Sequence, residues 1–372
     1  MLRVRLCGTM LGTVAALAVA GSVLGATWGT PVAISGAYTA DAMDLVTLDA
    51  NTVVAAYTQT AEGINDIDIR RSINAGATWS SPLLATSNGE FPDLASNGSQ
   101  VDLVYNSPNG RVWYRTSNDG GVTFATAIAL SPVGRYNWLP AVGRGPGGVV
   151  AVGFVDAGNQ KASVRVSTDG GATFGGASIL STTATDEAMA VAVGNGVIYV
   201  AYSNGFSDLR IRRSTNNGVS WSTATKLSGK LFDDDYRLAA DGTHAYIAYT
   251  VEGKGSAFST LLYRRTINSG ATWGSPGNMA PTSWSTEGPA LALSGGVLRA
   301  AFTRCIPDID VCDPTLVYYE QSSTGTSWGS AQRVSPNTLA EAWDPAVGAH
   351  RAIVGYLGED SSSDKAYVRN KS

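Results

Sequence analysis

The sequence predicts an all-β protein folded as a seven-bladed β-propeller, and two repeats carry this prediction. An eight-residue turn phrase, SINAGATW at 72–79 in its first complete copy, occurs six times along the chain. Short β-type runs that end in an aromatic residue occur seven times, 47 to 54 residues apart. A period near 50 residues with several short strands per unit is typical of a propeller blade. Because the two counts differ, six blades are the alternative.

The composition agrees with a β-rich fold and excludes several functional classes. Of the 372 residues only 15% are charged, against about 25% in an average protein, and the chain contains 43 glycines, 9 tryptophans and 15 tyrosines. The net charge is −4 and no run of Lys and Arg exceeds two residues, so a nucleic-acid-binding surface is not expected. His244 and His350 are far apart in the sequence and have no nearby Cys or His, so a zinc site is not expected either.

The N-terminus has the three parts of a secretion signal. Arg3 and Arg5 form a basic region, residues 6–19 are apolar, and residues 18–20 form an A-x-A cleavage site. We therefore expect a signal peptide at 1–20, a single propeller domain at 21–372, and a mature chain that is secreted or periplasmic. The apolar run is too short for a typical membrane span and no second one follows, so we expect no membrane span in the mature chain. We also expect a monomer.

Two cysteines remain after the signal is removed. Cys305 and Cys312 flank the short stretch CIPDIDVC, which we place in the loop between the second and third strands of the sixth blade. In an exported chain, a local disulfide is the simplest interpretation, and a pair of free thiols is the alternative. Such a bond would either stiffen a binding loop or stabilise a long insertion.

The turn phrase has a physical reason for each fixed position. An Asn or Asp at the third position bonds nearby backbone N–H groups, a Gly at the fifth adopts a positive φ, and the aromatic eighth residue anchors the turn against a neighbouring sheet. The copies are SINAGATW (72–79), SNDGGVTF (117–124), STDGGATF (167–174), STNNGVSW (214–221), TINSGATW (266–273) and the degenerate QSSTGTSW (321–328).

The strand runs with an aromatic end mark the blades. They are VVAAY, VDLVY, VAVGF, IYVAY, AYIAY, LRAAF and AIVGY, ending at Tyr57, Tyr105, Phe154, Tyr202, Tyr249, Phe302 and Tyr356.

The seventh turn phrase is missing at the C-terminus and is found at the N-terminus. Residues 25–35 read GATWGTPVAIS and match GATWSSPLLAT at 76–86, whereas the chain ends in KAYVRNKS where another copy would begin. The sequence therefore predicts that residues near 27–35 pair with 345–369 and close the last blade. Closure of this kind removes exposed sheet edges.

The turn phrases resemble the Asp-box, S/T-x-D-x-G-x-T-W, also called the bacterial neuraminidase repeat. The chain is similar, over nearly all of its mature length, to the sialidase-like superfamily of Asp-box propellers. This resemblance implies that the boxes lie between the third and fourth strands of each blade, opposite the active site. It also implies three arginines that clamp a carboxylate, a Tyr–Glu nucleophile pair and an Asp acid/base. The resemblance further implies that the first of these arginines comes from an Arg-Ile-Pro motif on the opening strand. Here that strand, DAMDLVTL (41–48), contains no arginine and no such motif, which argues against sialidase activity.

A binding site is predicted at the rim where the innermost strands begin. Six of the seven blades place a carboxylate there and the remaining blade places aromatic residues. An acidic and aromatic mouth could bind a sugar, or a calcium ion through its oxygen atoms, although no cofactor is required. The alternative is that these acids only form turns. The predicted rim comprises Asp41, Asp44, Glu90, Tyr136, Trp138, Glu187, Asp233, Asp234, Asp235, Glu287, Glu341 and Trp343.

Catalytic candidates are fewer. Arg135, Arg237, Arg304 and Arg351 could form an anion clamp, and Arg237 is the best candidate because it lies on an innermost strand. The favoured alternative for each of the four is a surface arginine or a partner for a rim acid. Tyr236 and Glu187 would be the nearest equivalent of a nucleophile pair. We therefore predict a secreted propeller that binds an extracellular glycan or protein at its mouth. A diverged sialidase-like glycoside hydrolase is the alternative, and a scaffold without a small ligand is a third hypothesis.

Overall fold

In the computed structural model, the described residues form seven four-stranded antiparallel sheets, so the predicted seven-bladed propeller is confirmed. The sheets surround a central cavity that is lined by the first strand of every blade. A single turn of 3-10 helix at Pro146–Gly148 accompanies the described strands. The structure describes residues 27–36, 38–61, 63–132, 138–156, 158–184, 189–205, 208–253, 259–308, 311–339, 341–359 and 363–371, without the side chains of 138, 232–235, 305–308 and 311–314.

The first three blades follow one another along the chain, each from its innermost to its outermost strand. Blade 1 contains β2 (Thr39–Thr47), β3 (Val53–Ala61), β4 (Ile64–Ser72) and β5 (Leu83–Ser87). Blade 2 contains β6 (Glu90–Asn97), β7 (Gln100–Asn106), β8 (Val112–Ser117) and β9 (Ile128–Ala129). Blade 3 contains β10 (Trp138–Arg144), β11 (Val150–Asp156), β12 (Lys161–Ser167) and β13 (Ser178–Ile179).

The next three blades repeat this order. Blade 4 contains β14 (Met189–Gly194), β15 (Val197–Ser203), β16 (Leu209–Ser214) and β17 (Thr225–Lys226). Blade 5 contains β18 (Leu231–Asp241), β19 (His244–Glu252), β20 (Ser259–Thr266) and β21 (Gly277–Asn278). Blade 6 contains β22 (Ser285–Ser294), β23 (Val297–Asp308), β24 (Val311–Ser322) and β25 (Gln332–Arg333).

Blade 7 is closed by the beginning of the chain, as the sequence predicts. It contains β26 (Ala342–Val347), β27 (Ile353–Glu359), β28 (Asp364–Asn370) and, at its outer edge, β1 (Val32–Ala33). Val32 pairs with Val368, and an isolated bridge joins Trp28 to Lys371. Trp28 also packs edge-on against Tyr319 of blade 6, with the ring centroids 5.3 Å apart.

The second strand of each blade supplies most of the core. Each of these strands has a largely apolar run that leads up to its aromatic residue, because the middle of a blade is covered on both faces by the neighbouring blades. In β3 the run from Val53 to Tyr57 is fully buried, and β15 is buried along its whole length. The seven aromatic residues predicted to end these runs are all buried. They fill the space between adjacent blades and hold the ring together.

The repeated turns join the third and fourth strands, at the end of the blade where the first strand finishes. In the turn at 167–174, Ser167 Oγ accepts a hydrogen bond from Gly171 N at 2.9 Å, and Asp169 Oδ1 accepts one from Thr173 N at 2.9 Å. Gly171 has φ +90, and a Cβ there would lie 1.9 Å from the hydroxyl oxygen of Tyr114 in the preceding blade. This turn therefore requires glycine both for its backbone angle and for close contact between blades.

The two cysteines lie in a hairpin rather than in the predicted loop. β23 and β24 extend well beyond the corresponding strands of the other blades, and Cys305 pairs with Thr315 while Cys312 pairs with Pro307. The loop prediction was wrong because these residues continue the strand pairing almost to the hairpin end. The side chains of both cysteines lie outside the described residues, so the disulfide stays a prediction.

Six innermost strands contain a register shift near their start. These shifts separate Ala40 from Ala42, Glu90 from Asp93, Trp138 from Ala141, Leu231 from Tyr236, Glu287 from Ala290 and Trp343 from Ala346. In four of the blades the shift contains a proline, which has no N–H to donate to the ladder. In blade 2 the residue before this proline, Phe91, has φ +53. A bulge of this kind interrupts the regular alternation of side chains and can direct a side chain toward the central cavity.

Candidate functional site

A cavity of about 490 Å³ lies on the axis of the propeller. It extends from the mouth, where Asp41, Phe91, Leu139 and Trp343 line it, to the level of Thr47 deeper in β2. The mouth is at the start of the innermost strands, on the side opposite the repeated turns. The side chains that differ from blade to blade along this cavity determine what it could bind.

One position of the innermost strand can be compared across all seven blades. In each blade it pairs with the residue immediately before the buried aromatic of the second strand, as Asp44 pairs with Ala56, which precedes Tyr57. We call this set the channel column, and six of its seven members line the cavity. In blade order the channel column is Asp44, Asp93, Ala141, Ala190, Arg237, Ala290 and Ala346.

The channel column departs from alanine in three blades, and all three departures introduce a charge. The four alanines show that a small apolar residue satisfies the packing at this position. The aspartates occupy neighbouring blades 1 and 2, whereas Arg237 comes from blade 5, on the other side of the ring. Charges placed where alanine suffices for the fold are better explained by a ligand than by packing.

Asp44 and Asp93 also link adjacent blades through backbone hydrogen bonds. Asp44 Oδ2 accepts from Leu94 N at 2.7 Å and its Oδ1 accepts from Leu45 N at 2.8 Å. Asp93 Oδ2 accepts from Val142 N at 2.7 Å, and within the described chain its Oδ1 has no hydrogen-bond donor. A third carboxylate at a bulge, Asp344 Oδ2, accepts from Met43 N at 2.9 Å.

Burial in the channel wall raises the pKa of both aspartates. Removal from water raises the pKa of Asp93 to about 6, against the combined effect of its bond from Val142 and the charge of Arg237. Removal from water also raises the pKa of Asp44 well above its usual range, and the negative charge of Asp93 adds to this shift. The two carboxyl groups are therefore electrostatically linked, and losing a proton from one makes ionisation of the other harder.

Arg237 faces the same cavity as the two aspartates. Its guanidinium donates a hydrogen bond from Nη1 to the carbonyl oxygen of Tyr236 at 3.1 Å, and its positive charge lowers the pKa of both Asp44 and Asp93. The side chain is exposed rather than packed. The cavity thus has a linked pair of acidic groups on blades 1 and 2 and a positive charge on blade 5.

The rim above the channel column includes several apolar side chains beside Asp41. Phe91 is 44% exposed and Leu139 is 37% exposed, and both line the cavity together with Met189 and Trp343. Trp343 packs partly against the core shared by blades 7 and 1. Apolar side chains exposed together around an opening are more typical of a binding site than those scattered singly over a surface.

Most of the predicted rim residues lie within the innermost strands, not before them. Asp44 and Trp343 line the cavity, as does Asp41, whose Oδ2 accepts a hydrogen bond from the Thr60 hydroxyl. Sequence patterns placed the strand starts too late because each strand continues through its bulge. Asp235 and Trp138 likewise lie in β18 and β10, with side chains outside the described residues.

Three predicted acids lie away from the described cavity lining. Glu90 begins β6, where its Oε1 accepts a hydrogen bond from Asn65 Nδ2 at 2.7 Å. Glu287 pairs with Thr303 within β22, and Glu341 immediately precedes β26. Tyr136 and Glu187 lie outside the described residues. The structure therefore brings together Asp41, Asp44 and Trp343 and leaves the role of every predicted rim residue a prediction.

Tyr236 lies in the core rather than on the channel. Its side chain is fully buried, and its hydroxyl oxygen accepts a hydrogen bond from Ser203 N of blade 4 at 3.1 Å. This location suits a bridge between blades 4 and 5 and does not favour attack on a ligand. Arg237, the adjacent candidate, does face the cavity.

Sequence reasoning missed Asp93, Asp344, Phe91, Leu139 and Met189 as residues of the cavity. Their signal is the alignment of the blades on the buried aromatic residue of the second strand, which places Asp93 level with Asp44. In the segment GEFPDLA, the first acid was chosen instead of the second because the bulge at Phe91 and Pro92 was not anticipated.

Within the described residues, no three His, Cys, Asp or Glu side chains come close enough to hold a metal ion. Calcium at the mouth therefore has no support from the part of the chain that is described.

Among the described residues, no helix has both the length and the apolar character needed to cross a membrane.

Comparison with known proteins finds similarity in structure but not in sequence. No family model and no curated protein matches the chain. An ulvan lyase of polysaccharide lyase family PL25, solved with -[GlcA(1-4)Rha3S]-, has a TM-score of 0.57 at 13% identity, over 92% of this chain and 96% of that chain. YCF48 bound to D1 peptide has a TM-score of 0.53 at 13% identity, over 93% and 95%.

Sialidases are also among the structurally similar proteins. Trypanosoma rangeli sialidase has a TM-score of 0.52 at 12% identity, with 93% of this chain covered. This chain spans 59% of that sialidase and 66% of the Hadza microbial sialidase Hz136. Identities this low establish architecture and leave activity open. The chain therefore has the sialidase-like β-propeller fold.

Proposed function

We propose that the protein is exported and binds an extracellular glycan or protein at the mouth of its central channel. The observation that carries this proposal is the pair of charged departures at Asp44 and Asp93, on the wall of an open cavity with an apolar rim. Removing the two ionised carboxyl groups from water costs free energy, as their raised pKa values indicate. A costly feature that alanine would avoid is typical of a functional site.

The structurally similar proteins support a ligand at this kind of fold. One was solved with a saccharide and another with a peptide, and each covers most of this chain. A rigid ring with a concave, partly apolar mouth and a few convergent polar groups is a common design for binding either type of ligand.

Binding at the mouth can be tested with one rim variant and one matched control. Purified residues 21–372 would be screened on a glycan array and against displayed peptides, as wild type, as Phe91→Ser and as Val219→Ser. Val219 is 84% exposed in a repeated turn on the opposite side, so its replacement changes a similar exposed apolar group away from the mouth. We expect Phe91→Ser to weaken each captured ligand and Val219→Ser to leave binding unchanged. Equal binding by all three proteins would contradict the proposal.

A diverged glycoside hydrolase is the second candidate, and the linked pair of Asp44 and Asp93 favours it. Two carboxyl groups with separated titrations can provide one acid and one base for glycoside hydrolysis. Fluorogenic glycosides, sialosides included, would test this candidate. Hydrolysis that is lost in Asp93→Asn would establish an enzyme, and absence of turnover on the whole panel would leave the binding function.

A further inference from the structure

We propose that the mouth binds a protein segment that inserts one basic side chain, Lys or Arg, toward Asp44 and Asp93 while an apolar neighbour in the segment packs on Phe91 and Leu139. This inference rests on the proposed binding function of the mouth and specifies its ligand. It follows from the acidic groups on the cavity wall, the need of a carboxylate for a hydrogen-bond donor, and the small apolar residues at the same level of the cavity.

The first argument is charge complementarity. Asp41, Asp44 and Asp93 line the cavity from blades 1 and 2, and Asp344 lines it from blade 7. Arg237 is the basic residue among the described lining. A cleft with one predominant sign of charge and low-dielectric walls concentrates its field and attracts the opposite charge.

The second argument concerns hydrogen-bonding capacity. Asp44 uses both carboxylate oxygens, and Asp93 one of them, to accept backbone N–H groups. Because each carboxylate oxygen can accept two hydrogen bonds, both groups keep acceptor sites for a ligand. An ionised carboxylate has no proton to donate, so it selects a hydrogen-bond donor, and Asp93 Oδ1 can accept a charge-assisted hydrogen bond from an ammonium or guanidinium group.

The third argument is the shape and character of the path. At the level of the two carboxylates, the channel column is alanine in blades 3, 4 and 6, at Ala141, Ala190 and Ala290, and these residues also line the cavity. Small apolar residues leave room for the methylene stem of Lys or Arg, which packs on apolar surface while its charged end reaches a polar group. The rim residues Phe91 and Leu139 then remain for an apolar side chain next to the basic one.

Arg237 has a defined role in this arrangement. It provides the positive charge opposite the two aspartates before a ligand arrives, and an incoming cation must approach against that charge. Removing Arg237 should therefore strengthen binding of a basic segment, although the same change would weaken binding of any acidic ligand. The sign of this single effect separates the two kinds of ligand.

The experiment uses residues 21–372 and a library of acetylated, amidated pentapeptides with a fixed central residue. The central residue is Lys, Arg, norleucine or Glu, and the flanking positions are randomised. We expect Lys and Arg pools to be enriched about tenfold over the norleucine pool, with apolar residues preferred at a flanking position. For a selected peptide, Asp93→Asn should weaken binding about fivefold to thirtyfold, and Arg237→Ala should tighten it about threefold or more.

Controls separate failure of this inference from failure of the proposed function. Val219→Ser should bind as wild type, and urea unfolding of each variant would establish that it is folded. Selection of the Glu or norleucine pool, or weaker binding of the selected peptide by Arg237→Ala, would overturn this inference. If Phe91→Ser then lost binding of the peptide that was selected, the proposed binding site at the mouth would still stand. If no peptide pool is enriched, this inference is overturned. If, in addition, glycan binding is the same for wild type and Phe91→Ser, the proposed function is overturned as well.

Discussion

Glu320 is a buried carboxyl group whose removal should stabilise the protein. It lies on β24, is 3% exposed, and accepts or donates no hydrogen bond within the described chain. Removal from water raises its pKa from 4.5 to about 8. In the six other blades the position corresponding to Glu320 is an arginine: Arg70, Arg115, Arg165, Arg212, Arg264 and Arg369.

Those arginines show what blade 6 lacks. Arg212 Nη1 donates to Ser222 O at 3.0 Å, and Arg264 Nη1 donates to Gly274 O at 3.1 Å. Each acceptor follows the aromatic residue of the repeated turn, so the guanidinium fastens the turn to the third strand. In blade 6 the corresponding residue is Gly329, after Trp328, and an ionised Glu320 has no proton to donate to it.

The pH dependence follows from the direction of the shift. Between the unfolded pKa of 4.5 and the folded pKa of about 8, the unfolded chain ionises first and the folded chain must hold a proton to avoid a buried charge. Glu320 therefore costs stability increasingly as the pH rises from 4.5. At pH 7 the difference of 2.5 pH units corresponds to about 3 kcal/mol, at 1.36 kcal/mol per unit.

Urea unfolding of wild type and Glu320→Gln at pH 4.5, 6, 7 and 8 measures this effect. We expect the two proteins to have nearly equal free energies of unfolding at pH 4.5, because the neutral groups are nearly isosteric, and Glu320→Gln to be more stable by about 3 kcal/mol at pH 7. Glu320→Arg should also stabilise blade 6, by donating to Gly329 O. A stability difference that does not change between pH 4.5 and 8 would refute the reasoning.

Three further predictions concern the channel, the closure of the ring and a buried ion pair. Asp93→Asn should raise the free energy of unfolding by about 3 kcal/mol at pH 7 and by less than about 1 kcal/mol at pH 4, because the folded pKa of about 6 exceeds the usual 3.8 and the cost, at about 1.36 kcal/mol per unit, appears as pH rises between them; urea titrations at both pH values would show it. Trp28→Ala should lower the melting temperature, at a cost of about 2–3 kcal/mol, because it removes the contact with Tyr319 that holds the closing strand. Arg144→Met should destabilise by about 3–5 kcal/mol, because it leaves buried Asp102 without the partner that lies 2.7 Å away, and adding Asp102→Leu should recover part of the loss in the same unfolding assay.

The architecture was predictable because the sequence repeats it. Each blade restates the same turn chemistry and the same buried aromatic residue, so seven weak signals support one another. The closing strand was predictable for the same reason, since Trp28 repeats the aromatic position of the turn phrase without a preceding third strand. The observed pairing of Val32 with Val368 confirms that interpretation.

The site was less predictable because bulges interrupt the strand pattern. A bulge adds a residue and changes the face to which the following side chains point. At Phe91 and Pro92 this shift brings Asp93 to the channel and leaves Glu90 bonded to Asn65. Tyr236 was predicted to face the cavity because it is next to Arg237 in the sequence. Adjacent side chains of a strand point to opposite faces, so Arg237 faces the cavity and Tyr236 lies in the core.

A repeat protein supplies its own comparison, since each blade shows which residue the fold accepts at a given position. Glu320 and the charged residues of the channel column both differ from the residue that most other blades have at the same position, but the two differences have different explanations. Glu320 is a single departure on the third strand of its blade, and its buried carboxyl group has no hydrogen-bond partner within the described chain, so it represents a cost to stability. Asp44, Asp93 and Arg237 depart together, face one cavity and influence one another's ionisation. Four blades show that alanine suffices at this position for packing, and a ligand that spans the channel explains why the three charged residues occur where they can act together.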